Sequence, residues 1–432
     1  MKKGVLITLI AFFIPWIVQA QQVPSGAQSL SLEEAVRFAV EHNKELQTSQ
    51  MDIELRDAMI TEAISQGLPQ INGTLDYSTN FRHKMSMPGS AQTTTLEDQS
   101  TASLSVSQLL FSGQWIIGLQ TSKIAKLITT QQVGITEQDI KETVYNSYYT
   151  ILVSERLTET VKQNLDNMSE IETHTTNMYK AGTAEVTDVD QIKITVGLLK
   201  NSLLAMERTI DVNYNLLRLQ LGLQAGTQIH LTDNLDGFLH EDKFLKLSLQ
   251  DFDINKNTQY QLMQTQEDLQ KKMVVLKKMA YAPTLSARYG YTHRLIEPSL
   301  DFSPKHSATI TMNIPVFSGL QRKAQLDQEK ISLEQTTLTK SFLEDQLFLQ
   351  EEQLKFTLKN ALEDYNLQKE NIRVAKKVLE NYQHKYNAGA VSSLDLTQAN
   401  NNYLQAENNY TSACLNLLQS QTQLEKLYNE LK

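Results

Sequence analysis

One cysteine, Cys414, occurs in 432 residues, so no internal disulfide framework stabilises this chain. Cys414 falls in a helical pattern, where a small buried apolar role is the ordinary one. Basic residues are not in excess: 40 Lys and Arg stand against 49 Asp and Glu, a formal charge of −9. That balance lacks the positive footprint expected of a nucleic-acid-binding protein. After the N-terminal segment, no apolar run reaches the roughly 20 residues of a membrane helix. Any membrane crossing would therefore use strands. No G-x-S-x-G sequence and no glycine-rich phosphate loop occurs. The eight histidines are scattered without metal-ligand spacing. We therefore expect no catalytic group, no cofactor and no metal site, and a periplasmic enzyme is the weaker alternative.

Proline is scarce and its placement organises the chain. The eight prolines include none between 89 and 282 and none after 315. Because proline is expelled from helix interiors at a cost of about 3 kcal/mol, both proline-free stretches can be very long helices. At the N-terminus, Lys2 and Lys3 precede an apolar run from Val5 to Val18, then Val18-Gln19-Ala20. This reads as a secretory signal over residues 1–20, cleaved after Ala20. No cysteine follows the cleavage point, so no lipid anchor is expected there.

The remaining prolines accompany period-2 alternation. Ile71, Leu75 and Tyr77 alternate with Asn72, Thr74 and Asp76. Ala102, Leu104 and Val106 alternate with Ser103, Ser105 and Ser107. The same holds for Leu285 to Tyr291 and for Ala308 to Ile314. The pattern predicts strands at about 70–80, 101–111, 284–294 and 306–316, each with an apolar and a polar face. Their lengths approach the roughly 9–11 residues with which a tilted strand crosses a bilayer.

The two halves of the chain repeat each other. Asn43, Pro69 and Tyr77 recur at one offset as Asn257, Pro283 and Tyr291, and Phe111-Ser112-Gly113 recurs as Phe317-Ser318-Gly319. Tyr179-Lys180-Ala181-Gly182 recurs as Tyr386-Asn387-Ala388-Gly389, with Asp188 matching Asp395 and Gln191 matching Gln398. Shared order and spacing of this kind mark a tandem duplication. The first repeat covers 21–222, a linking segment 223–250, and the second repeat 251–432. Ala399, Tyr403, Ala406, Tyr410, Ala413 and Leu417 continue a 4-3 heptad after Gly389, and Ile192, Val196, Leu199 and Leu203 do so after Gly182. Helices over 113–181 and 318–388 would each run about 100 Å at about 1.5 Å per residue.

Four strands cannot close a barrel, which takes about eight even when side chains fill it, and lipid does not tolerate open sheet edges. A barrel shared among protomers resolves this, with dimer, trimer and tetramer all open on bulk physics. The connections 81–100 and 295–305 then face one side of the membrane, and the helices leave on the other as antiparallel hairpins turning at Gly182 and Gly389. A secreted coiled-coil structural or surface protein also accounts for the heptads. It leaves the twice-repeated strand pairs unexplained.

The Leu68-Pro69 and Ala282-Pro283 strand entries, the Phe-Ser-Gly strand exits and the Tyr-x-x-Gly tips, in this order twice, resemble the TolC outer-membrane efflux family. The likeness covers essentially the whole mature chain. It implies a mainly α fold with membrane β: a homotrimer whose long antiparallel coiled-coil helices form a periplasmic tunnel below a shared twelve-strand barrel. It implies an outer-membrane exit duct for a tripartite efflux or type I secretion system, in outer-membrane lipid, docked to a periplasmic adaptor protein and an inner-membrane transporter. It places 223–250 as an equatorial belt. It puts Asp188 and Asp395 at a periplasmic aperture; as residues alone they read equally well as acids favoured near a helix N-terminus. The family archetype has a second aspartate where this chain has Gln398, and a basic residue where it has Val391. The small tip residues Ala181, Gly182, Thr183, Ala388, Gly389 and Ala390 are candidates for adaptor docking, although any tight helical turn looks like this. Trp115, Tyr289, Tyr291 and Phe317 are candidates for an aromatic girdle; for Trp115 and Phe317, packing against the helices is the competing reading.

Overall fold

The computed structural model describes residues 28–81, 84–86, 93–95, 98–296 and 304–432. The predicted signal segment and much of the connections 81–100 and 295–305 lie outside the described residues. The first repeat opens with β1 (Gln28–Leu30), α1 (Leu32–His42) and α2 (Lys44–Ser65). Next come β2 (Gln70–Ser78), the short pair β3 (Lys84–Ser86) and β4 (Thr93–Thr95), and β5 (Gln99–Ser112), which runs straight into α3 (Gly113–Lys180). A tip joins α3 to α4 (Val186–Gln220). Between the repeats lie β6 (Ile229–Leu231), a 3-10 turn at Leu235–Phe238 and α5 (Glu241–Ser248). The second repeat holds a 3-10 turn at Ile254–Lys256, α6 (Thr258–Met279), β7 (Thr284–Arg294), β8 (His306–Asn313), α7 (Gln321–Asn387) and α8 (Ser393–Leu427). No described helix is long and apolar enough to cross a membrane.

One expectation changes. The strand expected to reach residue 316 stops at Asn313, because Pro315 has no N–H to give a ladder. The chain then turns through left-handed Gly319 and Leu320, at φ 59° and 69°, before α7 begins. Residues 223–250, read as an equatorial or linking segment, carry regular structure of their own. Their strand β6 pairs in parallel with β1, about two hundred residues away, Ser29 opposite His230. The Asp233 carboxylate accepts hydrogen bonds from the Leu32 N–H at 2.7 Å and the Tyr148 hydroxyl at 2.9 Å, tying this segment to the start of α1 and to mid-α3.

β2, β5, β7 and β8 form one antiparallel sheet in that order. Register decides its faces. Ile71, Val106, Tyr289 and Ala308 line up across all four strands as an apolar row, and Gln70, Ser107, Arg288 and Thr309 as a polar row on the other face. Tyr291 and His306 extend the apolar face, their rings 5.0 Å apart. Trp115 is not part of it. Its indole N–H donates to the Ala63 carbonyl at 2.8 Å, and its ring covers Gly67, where a Cβ would lie only 2.4 Å away. It packs the end of α2 onto the start of α3. Phe317 is exposed in the single chain.

The repeat is legible in individual hydrogen bonds. The Asn43 side chain caps α2 by accepting from the Glu45 and Leu46 N–H groups, and its amide donates to the Gln220 carbonyl at 2.8 Å. Asn257 does the same for α6 with Gln259, Tyr260 and the Leu427 carbonyl at 3.0 Å. Each asparagine joins the start of one helix to the end of another, α4 or α8. Those ends close with a left-handed residue, Gly222 or Asn429. At Gly222 only glycine fits, since a Cβ would meet the His42 carbonyl oxygen at 2.3 Å. Replacing Asn43 or Asn257 by alanine removes a cap worth about 1–2 kcal/mol and orphans a buried carbonyl. Each variant should lower the midpoint of helix unfolding, followed by circular dichroism in detergent. Wild-type midpoints in both would remove these asparagines from the stabilising framework.

Candidate functional site at the hairpin tips

The two tips are built alike. α3 ends with Ala181, Gly182 at φ 77°, and an N–H from Thr183 back to the Met178 carbonyl at 2.9 Å. α7 ends with Ala388, Gly389 at φ 71°, and an N–H from Ala390 to the Lys385 carbonyl at 2.9 Å. Both satisfy carbonyls that a helix end leaves open, and both need a residue tolerant of positive φ. Ala181, Gly182, Thr183, Ala388, Gly389 and Ala390 are all exposed. The Thr183 hydroxyl donates to the Met178 carbonyl, so its polar group is turned back onto the helix.

The two aspartates close the following helices. Asp188 accepts from the Glu185 N–H at 3.2 Å in the capping box of α4. Asp395 accepts from the Ser392 N–H at 3.1 Å and the Ser392 hydroxyl at 2.7 Å in that of α8. The Ser392 hydroxyl, and then its N–H, hold the Asp395 carboxyl below its usual range. Both acids therefore do local capping work at positive helix ends. Asp188 does more. Its second oxygen accepts from the Ser393 hydroxyl at 2.6 Å, linking the first residues of α4 and α8 across the two hairpins.

A second link lies nearby. The Thr175 hydroxyl donates to the Ile171 carbonyl at 2.8 Å, so the Tyr386 hydroxyl is the donor in its 2.8 Å contact with Thr175. Thr175 is fully buried and Tyr386 only 5% exposed. Burial, above all, raises the Tyr386 pKa and keeps that hydroxyl protonated at neutral pH. Its repeat partner Tyr179 stays 47% exposed. Around these links Ile171, Ile192, Tyr386 and Leu396 form an apolar tip core, with Val391 packed against it. Gln398 instead faces outward and donates to Asn402 on its own helix.

Within the tip core the contact between α4 and α8 leaves polar groups unpaired among the described residues. A groove of about 540 Å³ is lined by Leu198, Leu199, Thr397, Asn400 and Leu404. Asn400 is fully buried, and among the described residues neither its amide nitrogen nor its oxygen has a partner, nor does the Thr397 hydroxyl. A buried unpaired polar group costs about 1–3 kcal/mol. The tyrosine was visible in the sequence only as a repeat landmark. Ser393, Thr175 and Asn400 carried no signal, because their contacts join helices far apart in the chain.

Residues 36–223 and 256–430 match the sequence profile of the outer membrane efflux proteins. The chain belongs to the outer membrane efflux protein family. It is therefore a transport duct of the outer membrane rather than an enzyme. No curated protein matches it by sequence. In fold it is similar to the Campylobacter jejuni CmeC outer membrane channel, with TM-score 0.74 and 14% identity over 99% of this chain and 94% of that one. It is similar to the open state of the Neisseria gonorrhoeae MtrE outer membrane channel, with TM-score 0.73 and 15% identity over 99% of both chains. The outer membrane protein VceC of Vibrio cholerae gives TM-score 0.72 and 13% identity over 92% and 95%.

For this efflux protein the depressed Asp395 pKa has a defined sign. A group whose folded pKa lies below its unfolded value contributes stability above the unfolded pKa and loses it as pH falls through the folded one. The second tip should therefore hold its capping box down to about pH 4, the ordinary carboxylate range, and lose it only below. Ser392→Ala should move that loss to higher pH, read as hydrogen exchange of the 389–396 peptide corrected for intrinsic rate. Superimposable pH profiles would contradict the assignment.

Proposed function

We propose that three copies of this efflux protein form the exit duct of a tripartite efflux or type I secretion system. A periplasmic adaptor joins the duct to an inner-membrane transporter that drives the cargo. The observation that carries this is the four-strand sheet, apolar on one face, polar on the other and, among the described residues, unpaired along the outer edges of β2 and β8. Such edges are not tolerated in hydrocarbon, and β2 of one copy can complete β8 of the next. Three copies give twelve strands and a lumen lined by the serine- and threonine-rich faces. A coiled-coil scaffold has no use for this sheet.

Helix surfaces support the same assembly. On α7, Leu338, Phe342, Leu349 and Phe356 are each 65–70% exposed, at steps of four and seven residues. That is a heptad stripe with no partner among the described residues. On α4, Ile194, Leu198, Val212, Leu216 and Leu219 are exposed too. A second copy is the natural cover for both. Leu349→Glu would place a charge in that interface and should leave a monomer by mass in detergent. A trimer of unchanged stability would exclude the stripe from assembly.

At the far end, Asp188 and Asp395 line the aperture, and the exposed tip residues 181–183 and 388–390 receive the adaptor. The seam between α4 and α8 is the part that opens. Its buried Asn400, unpaired among the described residues, keeps the closed form from being too stable, while the Ser393–Asp188 bond between α8 and α4 and the Tyr386–Thr175 bond between α7 and α3 hold the two hairpins together. Ser393→Ala combined with Tyr386→Phe should raise single-channel conductance in planar bilayers, and Asp395→Ala should change ion selectivity or raise conductance. Wild-type currents in every variant would remove these groups from the gate. Replacing Gly182 or Gly389 by a bulky residue should abolish transport in cells while sparing insertion; wild-type transport would refute the docking role.

A further inference from the structure

The polar face of the sheet is almost free of charge. Asn72, Ser105, Gly290 and Ser307 make one row, and Gln70, Ser107, Arg288 and Thr309 the next. The following row toward the helices has Ser286 opposite Thr311. Asp76 and Arg294 share a separate row, through Thr101, near the opposite end of the strands. Arg288 is therefore alone among neutral side chains, exposed, and makes no ion pair among the described residues. Gly290, next on the same face of β7, adds no side chain beside it.

We propose that Arg288 builds an oxyanion-binding ring on the lumen wall, one arginine from each of three copies, that takes the carboxylate or phosphate groups of cargo. The inference rests on the shared-barrel reading above. Arg288 stands four residues from Thr284, the start of β7. At about 3.4 Å per residue it sits about 14 Å along the strand from the helix end. Every copy places it at the same height, because the strand register is the same in each. A twelve-strand wall is about 24 Å across with strands about 4.8 Å apart and tilted about 40°. With arginine side chains reaching inward, no point at this level lies far beyond one Debye length, about 8 Å at physiological salt, from a guanidinium. The guanidinium stays charged at every accessible pH and offers paired N–H donors that match carboxylate and phosphate. The duct is thus acidic at its tips, with Asp188 and Asp395, and carries a positive band inside the barrel. Cargo anions that pass the tips meet a favourable step before release.

The test is block of the mature protein's current in planar bilayers by tripolyphosphate added on the barrel side. Wild type should be blocked in a concentration-dependent way, and less by addition from the tip side. Arg288→Gln should weaken block about tenfold or more, as expected for losing a charge-assisted hydrogen bond. Arg288→Lys should retain most of it. Thr309→Asp leaves the arginine in place but sets a carboxylate opposite it, and should weaken block comparably. Asp76→Asn should leave block at least as tight. Conducting wild-type channels without block, or block unchanged in Arg288→Gln or Thr309→Asp, would overturn the ring and leave the duct standing. Wild-type protein that never conducts would overturn the barrel reading beneath it.

Discussion

A strand edge presents a row of unpaired N–H and C=O groups, and hydrocarbon supplies no water to satisfy them. The sheet of β2, β5, β7 and β8 has two such edges and an apolar face that its own chain does not cover. Everything else in the molecule is compatible with that one requirement. The duplication supplies two hairpin pairs of strands, one in each repeat. The helices leave the sheet on the same side because each repeat enters and exits its strands at the same places, Pro69 and Phe111-Ser112-Gly113 in one and Pro283 and Phe317-Ser318-Gly319 in the other. Pairing in lipid thus dictates assembly, and the proposed assembly would cover the exposed apolar stripes on α4 and α7.

The helical part answers a different requirement, that of closing long helices without leaving orphan backbone groups. Each repeat uses the same devices: an asparagine that caps one helix while holding the end of another, left-handed helix ends, and a capping box after the tip. The middle of the molecule is drawn together by a large apolar cluster that includes Tyr148, Phe244, Leu417 and Leu424, and the tips by a smaller one around Ile192 and Leu396. Within the smaller cluster lies the α4–α8 seam, where Asn400 is buried without a hydrogen-bond partner among the described residues.

Polar residues divide in the same way. At the tips, acids that look like an aperture in sequence are also helix caps, and the same carboxylate of Asp188 serves both its own helix and Ser393. On the sheet, polar character is carried almost wholly by Ser, Thr, Asn and Gln, which suit a water-filled lumen without fixing its sign. The few ionisable groups there set the local potential.

The elements were legible because they rest on local rules. Proline exclusion marked the long helices, period-2 alternation marked four strands, and matched offsets marked the repeat, so that α3, α7 and β7 came within a few residues of expectation. The end of β8 was missed, since Pro315 outweighed an alternation that continued past it. The parallel pairing of β1 with β6 could not be read, because three-residue strands two hundred residues apart carry no periodicity. Nor could the Trp115 contact with Gly67 or the Ser393–Asp188 and Tyr386–Thr175 bonds, which depend on how helices distant in the chain are brought side by side. The sequence by itself determined the kind of segment, its faces and its order, because these follow from backbone propensity and hydrophobic period. Tertiary structure alone decided which polar groups meet, because a hydrogen bond between helices depends on register and rotation to within an ångström.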